Sequence, residues 1–403
     1  MSHEPHTSKP LLLPGGFRFA GIAAGIKPTG ALDLALAEAP GGASAAALFT
    51  SNRVLAAALM VDKEVLRSGG RVRGVLVNSG NANCATGPAG LRACREVCQK
   101  TAGRLGASPR EVFPSSTGVI GVPFPKDKIL AALPALFAGR EASLDGARRF
   151  AQAIMTTDTR PKLASLRFRC GSARAALLGM AKGAGMIHPS LATMLVYLFT
   201  DVGATPAQLE RALRQACGRT FNHISVDGDT STNDTVLLLA SGAAGVKLVP
   251  DQEKDFGAAL EGVCASLAAQ IVADGEGVQH MVTLKVEGAR TEAEAEQVAR
   301  AIVTSALVKT AWAGADPNWG RILAAAGRSG AALDPASVSI FFGRMPVCRK
   351  GVACDFDEPA AVRYLRRREF EVRVDLGRGR ASCTYLTCDL TAEYVRINAA
   401  YRT

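Results

Sequence analysis

Ala192 and Thr193 stand inside the chain's most unusual stretch, KGAGMIHPSLATMLVYLFTD, which runs from Lys182 to Asp201 of 403 residues. A threonine placed after a Gly/Pro-rich turn and a small residue can attack the carbonyl that precedes it and become the first residue of a new chain. Thr193 freed in this way would carry a hydroxyl beside an α-amine whose ordinary pKa is about 7.7–8.0, so one residue supplies nucleophile and base together. The plainer reading of the same letters is a turn followed by a buried strand over 194–199, and on this stretch alone it is the more ordinary one.

Four other clusters carry groups that could serve such a nucleophile. Pro114-Ser115-Ser116-Thr117-Gly118 reads as a tight turn rich in N–H and hydroxyl donors, able to hold the oxygen of a tetrahedral intermediate. Asn78-Ser79-Gly80-Asn81-Ala82-Asn83 gathers amides around a glycine and reads as a wall or turn. Asp227-Gly228-Asp229-Thr230-Ser231-Thr232-Asn233-Asp234 has three carboxylates but lacks the central glycine and closing glutamate of a calcium loop, so a hydrogen-bonded turn is preferred. In Asp274-Gly275-Glu276-Gly277 the flanking glycines let the backbone approach a ligand closely and Glu276 could meet an ammonium group; a polar hairpin turn is the competing reading.

Composition bounds the rest. The length calls for two domains or lobes, and abundant small and apolar residues with only 5% aromatics suit close packing of helices on sheets. A net charge of +11 admits nucleic acid, an acidic membrane or an anionic small substrate. The one dense basic cluster, Arg363 to Arg373, is interrupted by Glu369 and Glu371 and has no aromatic platform, so a solvated face is preferred to a nucleic-acid footprint. Ten cysteines without a CxxC pair and five dispersed histidines give no metal site, and suit reduced, mostly buried thiols. His188 reads as a neutral turn histidine. Residues 1–14 read as a loose tail without a signal sequence, and no segment approaches the roughly 18 apolar residues that span a bilayer; a cytoplasmic protein is expected.

These groups need elements to position them. Apolar runs at 45–50 and 74–78 read as strands, as do the alternating segments 281–286 and 370–375. Ser108, Thr205 and Thr291 each open a helix, the first two with a proline next and a Glu or Gln closing a capping box. The expected fold class is therefore α/β, a layered sandwich of mixed β-sheets and helices in two lobes.

Taken in order, GNAN (80–83), SSTGVIG (115–121), MTTDT (155–159), KGAGMIHPSLATML (182–195), VDGDTSTNDT (226–235), DGEG (274–277), VKTAWAGADPNWGRI (308–322) and the closing NAAYRT resemble the ornithine acetyltransferases, or glutamate N-acetyltransferases, of arginine biosynthesis. The resemblance covers about residue 17 to the end. It implies an architecture related to the N-terminal-nucleophile aminopeptidases. It also implies self-cleavage between Ala192 and Thr193, giving an α chain (15–192 after the tail) and a β chain (193–403) that stay together, as a heterotetramer of two of each.

The implied reaction is a ping-pong transfer of acetyl from N-acetyl-L-ornithine to L-glutamate through an acetyl-threonine ester, without metal or organic cofactor; acetyl-CoA enters as a second donor if the enzyme is bifunctional. Carried over by position, Thr117 and Gly118 are the oxyanion donors, and Thr156, Lys182, Thr193, Glu276, Asn398 and Thr403 the substrate-binding set. Thr156 is taken in preference to its neighbour Thr157. By residue chemistry alone the C-terminus would pass for a frayed end. The sequence departs from its relatives at Val278-Gln279-His280, where an Ala-Thr-Lys-like run is common. A related amidohydrolase or aminopeptidase, with water as acceptor, and a basic nucleic-acid-binding protein are the alternatives.

Overall fold

The computed structural model describes residues 10–171, 173–188 and 194–400, which build two β-sheets with helices against their faces. Strands β1 (Arg18–Ile22), β2 (Leu34–Phe49), β3 (Arg71–Asn81), β4 (Val112–Val119), β5 (Lys162–Cys170), β6 (Ala173–Lys182) and β7 (Leu195–Thr200) belong to the first sheet. Strand β8 (Ile224–Ser225) leaves for the second and β9 (Thr235–Ala240) returns to the first. The second sheet is completed by β10 (Met281–Ala289), β11 (Ser339–Phe342), β12 (Met345–Arg349), β13 (Val352–Ala353), β14 (Glu369–Asp375) and β15 (Ala381–Cys388).

The spatial orders are β4-β3-β2-β9-β7-β6-β5, with β1 beside the first half of β2, and β13-β12-β11-β14-β10-β15-β8. Both sheets are mixed: β3–β4 and β7–β9 are parallel in the first, β10–β14 and β8–β15 in the second. The helices are α1 (Ala57–Arg67), α2 (Gly87–Leu105), α3 (Lys126–Ala138), α4 (Leu144–Ala153), α5 (Pro206–Arg219), α6 (Glu253–Ala273), α7 (Glu292–Val303), α8 (Ala306–Ala313), α9 (Trp319–Gly327), α10 (Glu358–Leu365) and α11 (Ala392–Ala400). This is the expected α/β sandwich of mixed sheets.

The position of β7 explains its composition. Val196 and Leu198 face Leu209 and Leu213 of α5 and Leu260 and Leu267 of α6, while Leu195, Tyr197 and Phe199 face Phe19 and, on α4, Phe150. With both faces covered and a strand on each edge, all six residues are buried, so the run is apolar throughout and not alternating. Each such side chain contributes about 1.5–3 kcal/mol by leaving water. Phe19 meets Phe199 edge to face at 4.9 Å, and Phe150 meets Tyr197 at 5.4 Å. By contrast, β10 and β14 alternate as expected, because their sheet buries one face against Val298 and Ile302 of α7 and Trp312 of α8.

Small residues set the layer spacing. A Cβ on Gly179 of β6 would lie 2.7 Å from Leu267 Cδ1 and 2.8 Å from Val263 Cγ1, so glycine is what lets α6 sit this close to the sheet. The helical run Pro250–Ala273, which includes α6, is long and apolar enough to pass for a membrane span, contrary to the expectation that no segment comes near that length. Nine of its side chains are buried against the first sheet and α5, which accounts for its composition without a bilayer.

Other local expectations change in detail. Ser108 does form its capping box with Glu111, but around a three-residue 3-10 turn; Thr205 and Thr291 cap full helices. Of the expected tail, only Pro10 to Pro14 lies among the described residues, and there Leu12 N donates to Ser165 Oγ at 2.9 Å. Nine of the ten cysteines are buried and all are free. Apart from β8, the second sheet draws its strands from residue 281 onward, whereas the two fragments implied by cleavage would part between β6 and β7, neighbours in one sheet.

Candidate active site

Where strands of the first sheet end, several strands and turns meet around a cleft lined by Thr117, Gly118, Thr156, Thr157, Lys182, Glu276 and Asn398, among others. Six expected positions from five separate motifs therefore meet in one place. Ala192, Thr193 and Thr403, the cleavage pair and the terminal residue of the binding set, lie outside the described residues.

Thr117 and Gly118 do not form the expected tight turn. They end β4, a buried strand running parallel to β3, with Ser79 opposite Thr117 and Gly80 opposite Gly118 before the register slips around Asn81. The slip is a bulge, and it turns the strand end out of the ladder. Gly118 has φ 129°, and a Cβ there would lie 2.4 Å from the Gly80 carbonyl carbon and 2.6 Å from Asn81 N. Glycine at 118 is thus required by conformation and by space.

The amide-rich segment from Asn78 to Asn83 is the brace of this bulge. Asn78 Nδ2 donates to Asn81 O at 2.8 Å while Ser116 Oγ donates to Asn78 Oδ1 at 2.6 Å, and Asn81 Nδ2 donates to Pro123 O at 3.1 Å. Sequence reasoning missed a second brace. Asn233, in the turn before β9, donates from Nδ2 to both Ala82 O and Ser116 O at 2.7 Å, and Thr232 Oγ1 donates to its Oδ1 at 2.6 Å. Because a peptide is planar and trans, pinning the Ser116 carbonyl also fixes the direction of the Thr117 N–H. Ser231, Thr232 and Asn233 line the cleft as well; the only signal was the density of hydroxyls and amides in 230–233, which reads equally as a turn.

Lys182 closes β6 and is 5% exposed. Burial lowers its pKa, with Lys162 adding to the effect, while the carboxylates of Asp158, Asp234 and Glu276 act in the opposite direction. Its side chain lines the cleft beside Glu276 and Thr156. Glu276 follows α6 in a turn at a helix end, not in a hairpin; its N–H donates to Ala184 O at 3.0 Å. Its carboxylate lies over Gly185, where a Cβ would come within 2.5 Å of Oε2.

As far as residue 400, the C-terminal segment is helix α11. Asn398 Nδ2 donates to Glu276 Oε2 at 2.7 Å, and a Cβ on Gly277 would meet Tyr394 N at 2.5 Å, so the DGEG glycine admits this helix. Tyr394 Oη donates to Asp227 Oδ2 at 3.2 Å, and Asp227 also accepts from Met186 N, Ile187 N and Asp229 N. The Asp227 segment is therefore the hydrogen-bonded turn expected for it, and it holds the chain that leads to residue 188. Burial raises the Asp227 carboxyl to about 6 despite those amides. His188 is held neutral, its pKa lowered to about 4 by burial, with Arg300 adding to the effect.

No cluster of three or more His, Cys, Asp or Glu suited to a metal ion occurs among the described residues. The geometry instead assembles hydroxyl, amide, ammonium and carboxylate groups around small residues, a set that can bind an amino-acid-sized anion and support a developing oxyanion.

The ArgJ family model matches residues 18–403. The chain is 46% identical over 393 residues to the arginine biosynthesis bifunctional protein ArgJ of Geobacter sulfurreducens, covering 96% of this chain and 99% of that protein. It is 47% identical over 391 residues to the protein of the same name from Thermus thermophilus, covering 97% and 99%. Among solved structures it resembles the ornithine acetyltransferase of Mycobacterium tuberculosis complexed with ornithine, at 40% identity over 44% of this chain and 93% of that chain, with a TM-score of 0.39. With a family match over nearly its whole length and relatives of this identity aligned end to end, the chain belongs to the ArgJ family of arginine-biosynthesis acyltransferases.

Proposed function

We propose that this acyltransferase moves the acetyl group of N2-acetyl-L-ornithine to L-glutamate through an ester on Thr193, after self-cleavage of the Ala192–Thr193 bond. The observation that carries the reading is the convergence of Thr117, Gly118, Thr156, Lys182, Glu276 and Asn398 on one cleft. In this scheme the Thr193 hydroxyl attacks the acetyl carbon and its proton passes to the Thr193 α-amine. The oxyanion rests on Thr117 and Gly118. Collapse breaks the amide bond, the α-amine returns the proton to the departing α-nitrogen of ornithine, and an acetyl ester remains.

Glutamate then binds in the place of ornithine, its α-amine attacks the ester, and N-acetylglutamate leaves as the Thr193 hydroxyl is restored. Both amino acids carry an α-carboxylate, which Lys182 holds in each half-reaction, while Thr156, Glu276, Asn398 and Thr403 hold the remainder. The acetyl amide broken and the one formed are chemically alike, so the chemistry is nearly balanced. Catalysis then consists of oxyanion support and exclusion of water from the ester. Side-chain and backbone groups suffice for these steps, so no cofactor is part of the scheme; acetyl-CoA is a second acetyl donor in a bifunctional enzyme. The two fragments form a heterotetramer, two of each, in the cytoplasm.

The deciding experiment is intact-mass analysis of the denatured protein with N-terminal sequencing, followed by incubation with N-acetyl-L-ornithine and glutamate. Two fragments, the second beginning at Thr193 and gaining one acetyl group with donor alone, are expected. Thr193→Ala should remain whole and inactive. An unbroken active chain overturns the reading, and release of free acetate in place of N-acetylglutamate assigns the amidohydrolase alternative.

A further inference from the structure

Lys162 has no exposed side-chain surface, and its Nζ lies 2.5 Å from Asp158 Oδ1 and 2.6 Å from Asp274 Oδ2, both carboxylates being buried as well. Such a triad is a poor device for stability alone, since apolar side chains of the same volume do as well or better once desolvation is counted. Its attachments are more telling. Asp158 also accepts from Thr156 N at 3.0 Å and from Gly183 N at 2.7 Å, the latter directly following Lys182. Asp274 accepts from Thr159 N at 3.1 Å and from the Thr159 hydroxyl, and stands two residues before Glu276. The three segments that bear Thr156, Lys182 and Glu276 are therefore tied to one buried cluster.

We propose that Asp158, Lys162 and Asp274 are positioning residues for the carboxylate-binding end of the cleft, with Asp158 fixing both the place and the charge of the Lys182 ammonium. The inference rests on the reading of Lys182 as holder of the substrate carboxylate. Among the described residues, the charged groups around Lys182 are Asp158, Lys162, Asp234, Glu276 and Lys27. Burial alone would raise the Asp158 carboxyl, but Lys182, Lys162 and the Gly183 N–H outweigh it and hold the group at about 2, so Asp158 is an anion throughout the working range. Its charge offsets the burial of the Lys182 ammonium, whereas Lys162 opposes that ammonium. Removing one or the other must therefore move the titration of Lys182 in opposite directions.

The test compares mature wild-type enzyme, Asp158→Asn and the charge-balanced pair Lys162→Met/Asp274→Asn on N2-acetyl-L-ornithine and on its α-carboxamide, across pH. Wild-type enzyme that neither splits nor transfers acetyl removes the functional reading itself. With that control active, Asp158→Asn should raise KM for the carboxylate substrate by roughly tenfold to a hundredfold, the scale of a misplacement of about 1 Å. It should also shift the alkaline limb of kcat/KM to lower pH and erase the preference for carboxylate over carboxamide. The double variant should shift that limb to higher pH. Equal losses on both substrates, or limbs that stay put or move the same way, overturn the proposal. Should Asp158→Asn fail to fold, the double variant decides alone: a limb unmoved or moved to lower pH overturns it.

Discussion

Lys182 and Leu195 face each other as the last register pair of the antiparallel strands β6 and β7, with the implied cleavage bond between them in the chain. Both strands are interior to the first sheet, β6 against β5 and β7 against β9. The six register pairs from Leu177 to Lys182 would remain after the backbone opened. We expect the two fragments, separate on a denaturing gel, to elute as one species in size-exclusion chromatography without denaturant. Separation of fragments under native conditions would contradict this.

Thr117→Ala removes the hydroxyl from the proposed oxyanion site and should lower kcat by about 10²–10³, equivalent to about 2.7–4 kcal/mol, with Thr117→Ser recovering much of it. Gly118→Ala should be inactive for another reason: the new methyl meets the Gly80 and Asn81 backbone at 2.4–2.7 Å, so the strand end must move. Steady-state kinetics with thermal melts separate the two, since only the glycine variant should also lose stability.

Asn233→Ala leaves the Ala82 and Ser116 carbonyls without their donor, at about 1–3 kcal/mol for each buried group. The expected pattern is a lower melting temperature together with a fall in kcat larger than any change in KM, because the residue orients Thr117 and is not assigned to substrate. Asn233→Asp should be worse, as it sets a carboxylate oxygen against two carbonyls.

Asp227 gives a pH dependence of unusual sign. Its folded pKa of about 6 lies above the ordinary 3.8, so its contribution is fully present below about pH 4 and is lost as pH rises through about 6, by at most about 3 kcal/mol. Asp227→Asn should flatten that part of the stability curve, read as urea midpoints between pH 4 and 7. An unchanged slope would show that the carboxyl is not raised.

Local reading of the sequence went far where the cause is local. The apolar run after residue 194 is a buried strand, the alternating runs at 281 and 370 are half-buried strands, and Thr205 and Thr291 cap helices, since burial periodicity and capping depend on near neighbours. It failed where a partner distant in sequence supplies the cause. Ser115 to Gly118 has the letters of a turn, yet lies in a strand because β3 supplies its hydrogen bonds. Asn233 looks like any turn asparagine until the Ser116 carbonyl, 117 residues away, is placed beside it.

By itself, then, the chain of letters determined the family, the class of layers, the acyl-transfer expectation and most of the positions named for it, because each motif is a short run whose residue types are legible in place. Tertiary structure alone decided that six of those positions share a cleft, that the last helix closes on Glu276, and that a buried ion cluster ties their supporting segments together. The links from Lys162 to Asp274 and from Asn398 to Glu276 span 112 and 122 residues, so they form only when the sheets and their helices pack, and no short window along the sequence contains both partners.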